Sequence, residues 1–261
     1  MQISLQGKRA LVGGSSRGIG RAIAEQLAES GASVTLMARS EDQLKLITKG
    51  LPKHGGAMHD YLVVDFTDFN SYQKKITRYF ENHKVDILVN NTQGPSSGSA
   101  LEKDISDYQQ AFDLLFKSVV YTTQLALKHM MENKWGRVIN VASISVKEPL
   151  SYLALSNTIR AAVVTWAKSL ANEVASDKIT VNSILTGYFD TERITDLNKK
   201  KSEQMGIPVD EVRKAMEEQV PMKRIGDPQE YGYLVCFLAS DKASYITGTN
   251  IPIDGGLLKS L

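Results

Sequence analysis

The stretch that decides the fold is Gly13-Gly14-Ser15-Ser16-Arg17-Gly18-Ile19-Gly20. It closes the apolar run Arg9 to Gly13 and opens a segment, Gly20 to Ser30, in which Ile23, Leu27 and Ala28 recur at helical spacing. A strand-to-helix junction of this kind can meet three demands at once: a tight turn, close approach of main chain to a pyrophosphate, and free amides at a helix N-terminus. Glycines at 14, 18 and 20 answer them, with Ser16, Arg17 and Ile19 in the same turn. A glycine-rich turn alone is weak evidence. Its place at the start of a strand–helix series makes it a dinucleotide signature.

Working outward, Gly31 fits the stop just past the first helix. Val34 to Ala38 then reads as a strand and Glu41 to Lys49 as a helix. Tyr61 to Val64, Ile87 to Val89, Arg137 to Ala142 and Thr180 to Leu185 read as further buried strands. Long helical segments separate them, notably Asp107 to Asn133 and Ser151 to Ala175. The chain ends with a helix over Pro228 to Ala239 and a strand near Thr249 to Ile253. Strands alternating with helices imply right-handed βαβ units and a parallel sheet covered on both faces. The expected fold is α/β: one Rossmann-type, doubly wound domain over residues 1–261. The polar stretch Asp190 to Pro221 carries Lys199, Lys200 and Lys201 and a short helix pattern after Pro208. It reads as a solvated excursion that covers substrate at the sheet's carboxyl edge.

Bulk properties exclude several classes. A chain of 261 residues with a formal charge of +2 presents no strong field for nucleic acid. No apolar run approaches the ~20 residues of a membrane span. The N-terminus shows no basic segment followed by an apolar one, so a cytoplasmic protein is expected. Cys236 is the one cysteine and lies in an apolar run, which predicts a buried, inert thiol. The four histidines, His54, His59, His83 and His129, lack metal-ligand spacing. No G-x-S-x-G elbow marks a hydrolase.

The second strand ends in Met37-Ala38-Arg39. An acidic residue there would hold the adenosine ribose of NAD, whereas arginine favours a 2′-phosphate. Arg39, with Arg17 as a second planar donor fork, points to NADP rather than NAD.

Taken together, these features resemble the short-chain dehydrogenase/reductase family over essentially the whole chain, most closely its 3-oxoacyl-(acyl-carrier-protein) reductase branch. The glycine turn matches the family's T-G-x-x-x-G-x-G except for Gly13. Asp65, followed by Phe66, is similar to the acid that meets the adenine. Asn90-Asn91-Thr92-Gln93-Gly94 resembles the family's N-N-A-G. Trp135 to Ser143, Ile246-Thr247-Gly248 and Asp254-Gly255-Gly256 match in order. The resemblance implies cofactor contacts at Gly14, Ser16, Arg17, Gly18, Ile19, Gly20, Arg39, Asp65, Phe66, Asn91, Arg160 and Gly187. It also implies a homo-oligomer, dimer or tetramer, paired through the two long helices. Val119, Thr123, Leu127, Val163, Ala167 and Leu170 have spacing compatible with that pairing or with the core.

The family's chemistry rests on an asparagine, a serine, a tyrosine and a lysine four positions later. Only the serine stands here, as Ser143. Ala167 to Ala171 resembles the K-S-L-A that follows the family lysine by eight residues, which assigns the lysine position to Arg160 and the tyrosine position to Ser156. Counting back from Gly136 places the asparagine at Leu115, and the proline-glycine after the sixth strand reads Thr186-Gly187. A serine hydroxyl is a far weaker acid than a phenol with a pKa of ~10, and shorter. Arg160 keeps its charge and can bind ribose hydroxyls, but does not give up a proton. Leu115 can neither donate nor accept, so the usual water relay is lost.

Tyr152 lies four residues before Ser156 and eight before Arg160, near one helix face. It is a displaced acid, a packing residue or a substrate contact. Tyr188 is an equal outsider, and Ser145 shares serine's weakness as an acid. Two functions follow: an NADP-dependent oxidoreductase of a carbonyl or hydroxyl substrate, for which the resemblance implies a 3-oxoacyl thioester, with altered proton transfer; or an NADP-binding sensor or partner with little or no turnover.

Overall fold

The computed structural model describes residues 2–260. Its strands are β1 (Arg9–Gly13), β2 (Ser33–Ala38), β3 (Asp60–Val63), β4 (Ile87–Asn90), β5 (Gly136–Val141), β6 (Ile179–Thr186) and β7 (Asn250–Ile253). They form one parallel sheet in the order β3-β2-β1-β4-β5-β6-β7. Alternate residues of each strand serve opposite faces, as a period of two requires. Ala10, Val12, Ile87 and Val89 enter one core with α1 (Gly18–Glu29), α2 (Glu41–Gly50) and α9 (Pro228–Ala239). Leu11, Leu88, Val138 and Val181 enter the other. That face is covered by α3 (Phe69–Asn82), α4 (Ile105–Phe112), α5 (Ser118–Glu132) and α6 (Ala154–Val174). Each fully buried leucine or valine contributes about 1.5–3 kcal/mol by leaving water.

The strands lie within about a residue of the expected runs, the tolerance of any boundary. The first helix stops as Gly31 foretold: at φ +94°, its N–H donates to the Ala28 carbonyl at 2.9 Å, and Ala32 N–H donates to Leu27 at 3.0 Å. The helix expected from Asp107 begins at Ile105, because the Asp104 carboxylate accepts from Ser106 and Asp107 amides at 2.8 and 3.0 Å. It is not uniform either, since Asp113–Lys117 widens into a π-helical turn between α4 and α5. The helix expected from Ser151 starts at Ala154, because Leu153, at φ −124° and ψ 36°, is not helical. Tyr152 therefore precedes α6 and does not share its face with Ser156 and Arg160.

The excursion after β6 holds two helices, over the lysine run and after Pro208. Helix α7 (Glu192–Met205) carries the lysine run, with Thr191 as its cap and Gly206 at φ +65° as its stop. Helix α8 (Val209–Gln219) follows Pro208. Arg213 of α8 grips Asp190 through paired bonds of 3.0 and 2.8 Å, fastening the excursion to the end of β6. Val119, Thr123, Leu127, Val163 and Ala167 are buried within the single chain, so the core explains them; Leu170 is half-buried. No described helix is long and apolar enough to cross a membrane.

Candidate active site

The strand order reverses beside β1, so the carboxyl ends of β1 and β4 part and leave the crevice where open α/β sheets hold ligands. The glycine turn occupies it. Asn91 Nδ2 donates to the Gly13 carbonyl at 3.0 Å, and a side chain at Gly13 would overlap the Asn91 carbonyl. A Cβ at Gly20 would lie 2.7 Å from Asn91 Nδ2 and overlap the Gly14 carbonyl. The glycines are thus required first by the packing of the turn on β4. Buried Ser15 braces the turn from the other side, donating to Val12 O at 2.9 Å and accepting from Met37 N–H at 2.8 Å.

The helix that follows, like α6, starts without a side-chain cap or an acid in its first turn. Helices α3, α4, α7 and α9 have side-chain caps from Asp68, Asp104, Thr191 and Asp227. At the N-terminus of α1, Arg17 makes no side-chain cap and the first turn has no acid. Its leading amides are left for an outside acceptor. Arg17 and Arg39 are both exposed, and neither has an ion-pair partner within 4.0 Å among the described residues. Ser16 and Ile19 flank the turn, half-buried.

Asp65 follows β3. Burial raises the pKa of its carboxyl, but Thr67 donates from its hydroxyl at 2.7 Å and its amide at 2.9 Å; with Arg39 and Lys75 nearby, these hold it below the usual value. The Phe66 ring is buried 5.1 Å from that of Tyr72. Gly187 donates to Ile253 O at 3.0 Å, and a Cβ there would sit 2.6 Å from Asp254 Cα.

Ser143, Arg160 and Leu115 gather at the end of β5. Ser143 Oγ accepts from Ser145 N–H at 3.1 Å, on the turn after β5. Ser156 is buried in the first turn of α6, and Arg160 lies one turn on. Arg160 donates to the Val141 carbonyl at 2.5 Å. Burial, reinforced by the nearby Arg193 cation, pushes its pKa down to about 10, so it stays cationic at neutral pH. Leu115 lies in the π turn, buried, and lines a cavity of about 10 Å³ with Asn90, Asn140 and Arg160. That is the size of one water. Asn140 Nδ2 has no protein partner there.

Tyr152 is half exposed and its carbonyl accepts from Gly98 N–H at 2.8 Å. Its phenol meets that of half-buried Tyr188, whose pKa is raised by burial first and then by Tyr152. An apolar wall of Ala142, Ile144, Leu185, Val146, Leu257 and Leu258 adjoins Ser143. Glu148 pins the tail by accepting from Lys259 and Ser260 amides at 2.8 and 2.7 Å.

Two residues escaped sequence reasoning. Thr191 caps α7 directly over the turn: its Cγ2 would lie 3.2 Å from a Cβ at Gly18. A threonine ahead of a helical pattern is the signal that could have found it. Arg193 lays its guanidinium on Gly94, where any Cβ would overlap it. No spacing in the sequence announces that contact.

The fold and the crevice define a dinucleotide-binding α/β protein of the doubly wound class. The chain matches the family described as Enoyl-(Acyl carrier protein) reductase over residues 14–258. It is 36% identical to the 3-oxoacyl-[acyl-carrier-protein] reductase of Vibrio cholerae, over 98% of this chain and 99% of that protein. It superposes on the L-sorbose reductase of Gluconobacter frateurii, solved with NADPH and L-sorbose, with a TM-score of 0.93, 31% identity and complete coverage of both chains. A 3-oxoacyl (acyl-carrier-protein) reductase of Agrobacterium tumefaciens with NADP bound gives 0.86 and 30%, covering 97% of this chain and 95% of that one. The chain belongs to the short-chain dehydrogenase/reductase family of oxidoreductases.

Proposed function

We propose that this chain is an NADP(H)-dependent oxidoreductase acting on the carbonyl or hydroxyl group of a small molecule, with proton transfer unlike that of its family. The observation that carries the reading is the uncapped N-terminus of α1 above a glycine turn, flanked by Arg17 and Arg39, which form no ion pair within 4.0 Å among the described residues. Main-chain amides there suit a pyrophosphate and the two arginines a 2′-phosphate. The NADP(H)-bound relatives in structure agree with that choice. Asp65, the Phe66 main chain, Asn91 and Gly187 border the remainder of the nucleotide.

When bound, the cofactor supplies or accepts a hydride. The chain's own residues do the rest. Ser143 Oγ orients the substrate oxygen. Arg160 has donors to spare beyond the one given to Val141, and these suit ribose hydroxyls. Ser156 is too short and too weakly acidic to replace a phenol. The Tyr188–Tyr152 pair is a phenolic source of a proton, and the raised pKa of Tyr188 keeps it protonated at neutral pH. Residues 190–221 cover the substrate. Half-buried Phe112, Phe116, Trp166 and Leu170 leave an aromatic strip on α4 to α6 for pairing with a second copy. The activities of the relatives make a 3-oxoacyl thioester one substrate to try. The apolar Leu115 and the missing phenol at 156 favour a second reading, NADP binding without turnover.

Fluorescence titration with NADPH and NADH, followed by a screen of carbonyl compounds, tests both. NADPH should bind more tightly than NADH. Arg39→Ala should weaken NADPH by about 10- to 100-fold, as expected for loss of charge-assisted bonds, and leave NADH unaffected. Cofactor oxidation with any carbonyl establishes the oxidoreductase. Tight binding with no turnover across the panel supports the sensor, and failure to bind either cofactor overturns both readings.

A further inference from the structure

The polar side chains beneath α5 and α6 form a chain of hydrogen bonds whose direction is fixed at one end. Thr123 Oγ1 donates its single hydrogen to the Val119 carbonyl at 2.7 Å. Toward Asn90 it can therefore only accept, and Asn90 Nδ2 donates to it at 3.0 Å. Asn90 Nδ2 also donates to Asn140 Oδ1 at 2.9 Å. The Asn140 amide is thus held with its oxygen toward β4. Its Nδ2, on a side chain that is 1% exposed, has no protein partner. A buried donor without an acceptor is costly.

Val138 and Asn140 stand two residues apart on β5, so both face the same helices. There Asn140 lines a cavity of about 10 Å³ together with Leu115, Val119, Val163 and Arg160. Arg160 reaches it from α6 and spends one donor on the Val141 carbonyl. Burial is the main reason that its pKa falls to about 10, and it remains a cation at neutral pH. It forms no ion pair within 4.0 Å among the described residues, and no carboxylate among them lines the cavity. Two sets of N–H donors, one carrying a full charge, therefore share a space for one small sphere. A charge out of water calls for a counter-charge. A space of that size admits a water or a monatomic ion.

We propose that the cavity binds one halide ion between Asn140 Nδ2 and the Arg160 guanidinium, chloride being the ordinary occupant. The inference goes beyond the oxidoreductase reading and does not depend on it. A halide accepts from both donors and has no hydrogens to place against Leu115, Val119 and Val163, whereas a water has two. It also offsets the Arg160 charge, which a water leaves standing.

The test is thermal melting of the cofactor-free protein in sodium gluconate, with sodium bromide replacing it stepwise at constant ionic strength. Gluconate is too large for the cavity. Bromide should raise the melting temperature along a saturating curve, by about 3–5 °C at ten times its dissociation constant. Asn140→Asp keeps the acceptor for Asn90 and removes the Nδ2 hydrogens, and it should abolish the response. Arg160→Met should abolish it too, while melting no lower than wild type in gluconate alone. Crystals soaked in bromide should show an anomalous peak within hydrogen-bonding distance of Asn140 Nδ2. No saturable response of the wild type, or a response that survives in Arg160→Met, overturns the inference. So does a water at the site in bromide-soaked crystals. A peak at the site without any shift in solution means binding at crystal concentration only and overturns it as well. If Asn140→Asp does not fold, the wild-type crystals and Arg160→Met carry the test.

Discussion

Asn91 Nδ2 donates to the Gly13 carbonyl at 3.0 Å, so the end of β4 is tied to the first residue of the glycine turn. The family pattern has threonine where this chain has Gly13, and restoring it should do harm. A Cβ at 13 overlaps the Asn91 carbonyl and lies 3.2 Å from its amide nitrogen. Gly13→Thr should cost about 1–3 kcal/mol as an overpacked site and weaken NADPH binding. Denaturant melts and a cofactor titration check it. A variant as stable as wild type would show that Asn91 can retreat.

Arg160 predicts a trade between stability and function. Its cation is desolvated and repelled by Arg193, against the favourable influence of Tyr231 and one bond to the Val141 carbonyl. Arg160→Met keeps the side chain's length and discards the charge. It should raise stability by about 1 kcal/mol while lowering cofactor-dependent turnover. Thermal melts in the absence of cofactor decide the first half. A marked fall in melting temperature would mean that the charge has a stabilising partner.

Rebuilding the family set is the third test. Ser156→Tyr, Arg160→Lys and Leu115→Asn together restore a phenol, an ammonium and an amide. Ser156 and Leu115 are both buried, so the new side chains must displace packed neighbours. In an enzyme with its own proton route, native turnover should fall by about 10²- to 10⁴-fold, the usual worth of a proton-transfer group. A gain in general carbonyl reduction would instead mark a site that had merely decayed.

A pH dependence follows from Glu230, which closes the capping box of α9. Arg224 donates to it at 2.8 and 2.7 Å and Asp227 N–H at 2.8 Å; these hold its carboxyl at about 2. The pKa is depressed in the folded state, so the stabilisation is complete above the ordinary glutamate value of ~4.3. It fades as pH falls from there toward 2. Glu230→Gln should lower the melting temperature at pH 7, with the difference closing below that window. The pair is partly exposed, so the effect should stay under about 1 kcal/mol. A difference that persists at the acid end would assign the effect to something other than the carboxylate.

Much of the fold was legible because it is written in local periods. The run Arg9 to Gly13 alternates faces, and Pro228 to Ala239 carries its own cap in Asp227 and Glu230. The start of α6 was not legible, because Ser151 to Leu153 suit a helix and are held out of it by the pairing of Gly98 with Leu153. The π turn at Asp113–Lys117 leaves no mark in the hydrophobic pattern that was read.

By itself the sequence determined the order of strands and helices and the place of the glycine turn, because spacing within a dozen residues settles both. The resemblance, counted along the chain, implies that positions 115, 156 and 160 stand where the family carries asparagine, tyrosine and lysine. Only the tertiary structure decided what stands near them. Thr191 comes to rest over Gly18, and Arg193 reaches Gly94, because the crossovers of a parallel sheet bring distant segments to one edge. Which side chains meet there depends on how whole helices pack against the sheet, a sum of many weak contacts that no short stretch of sequence encodes.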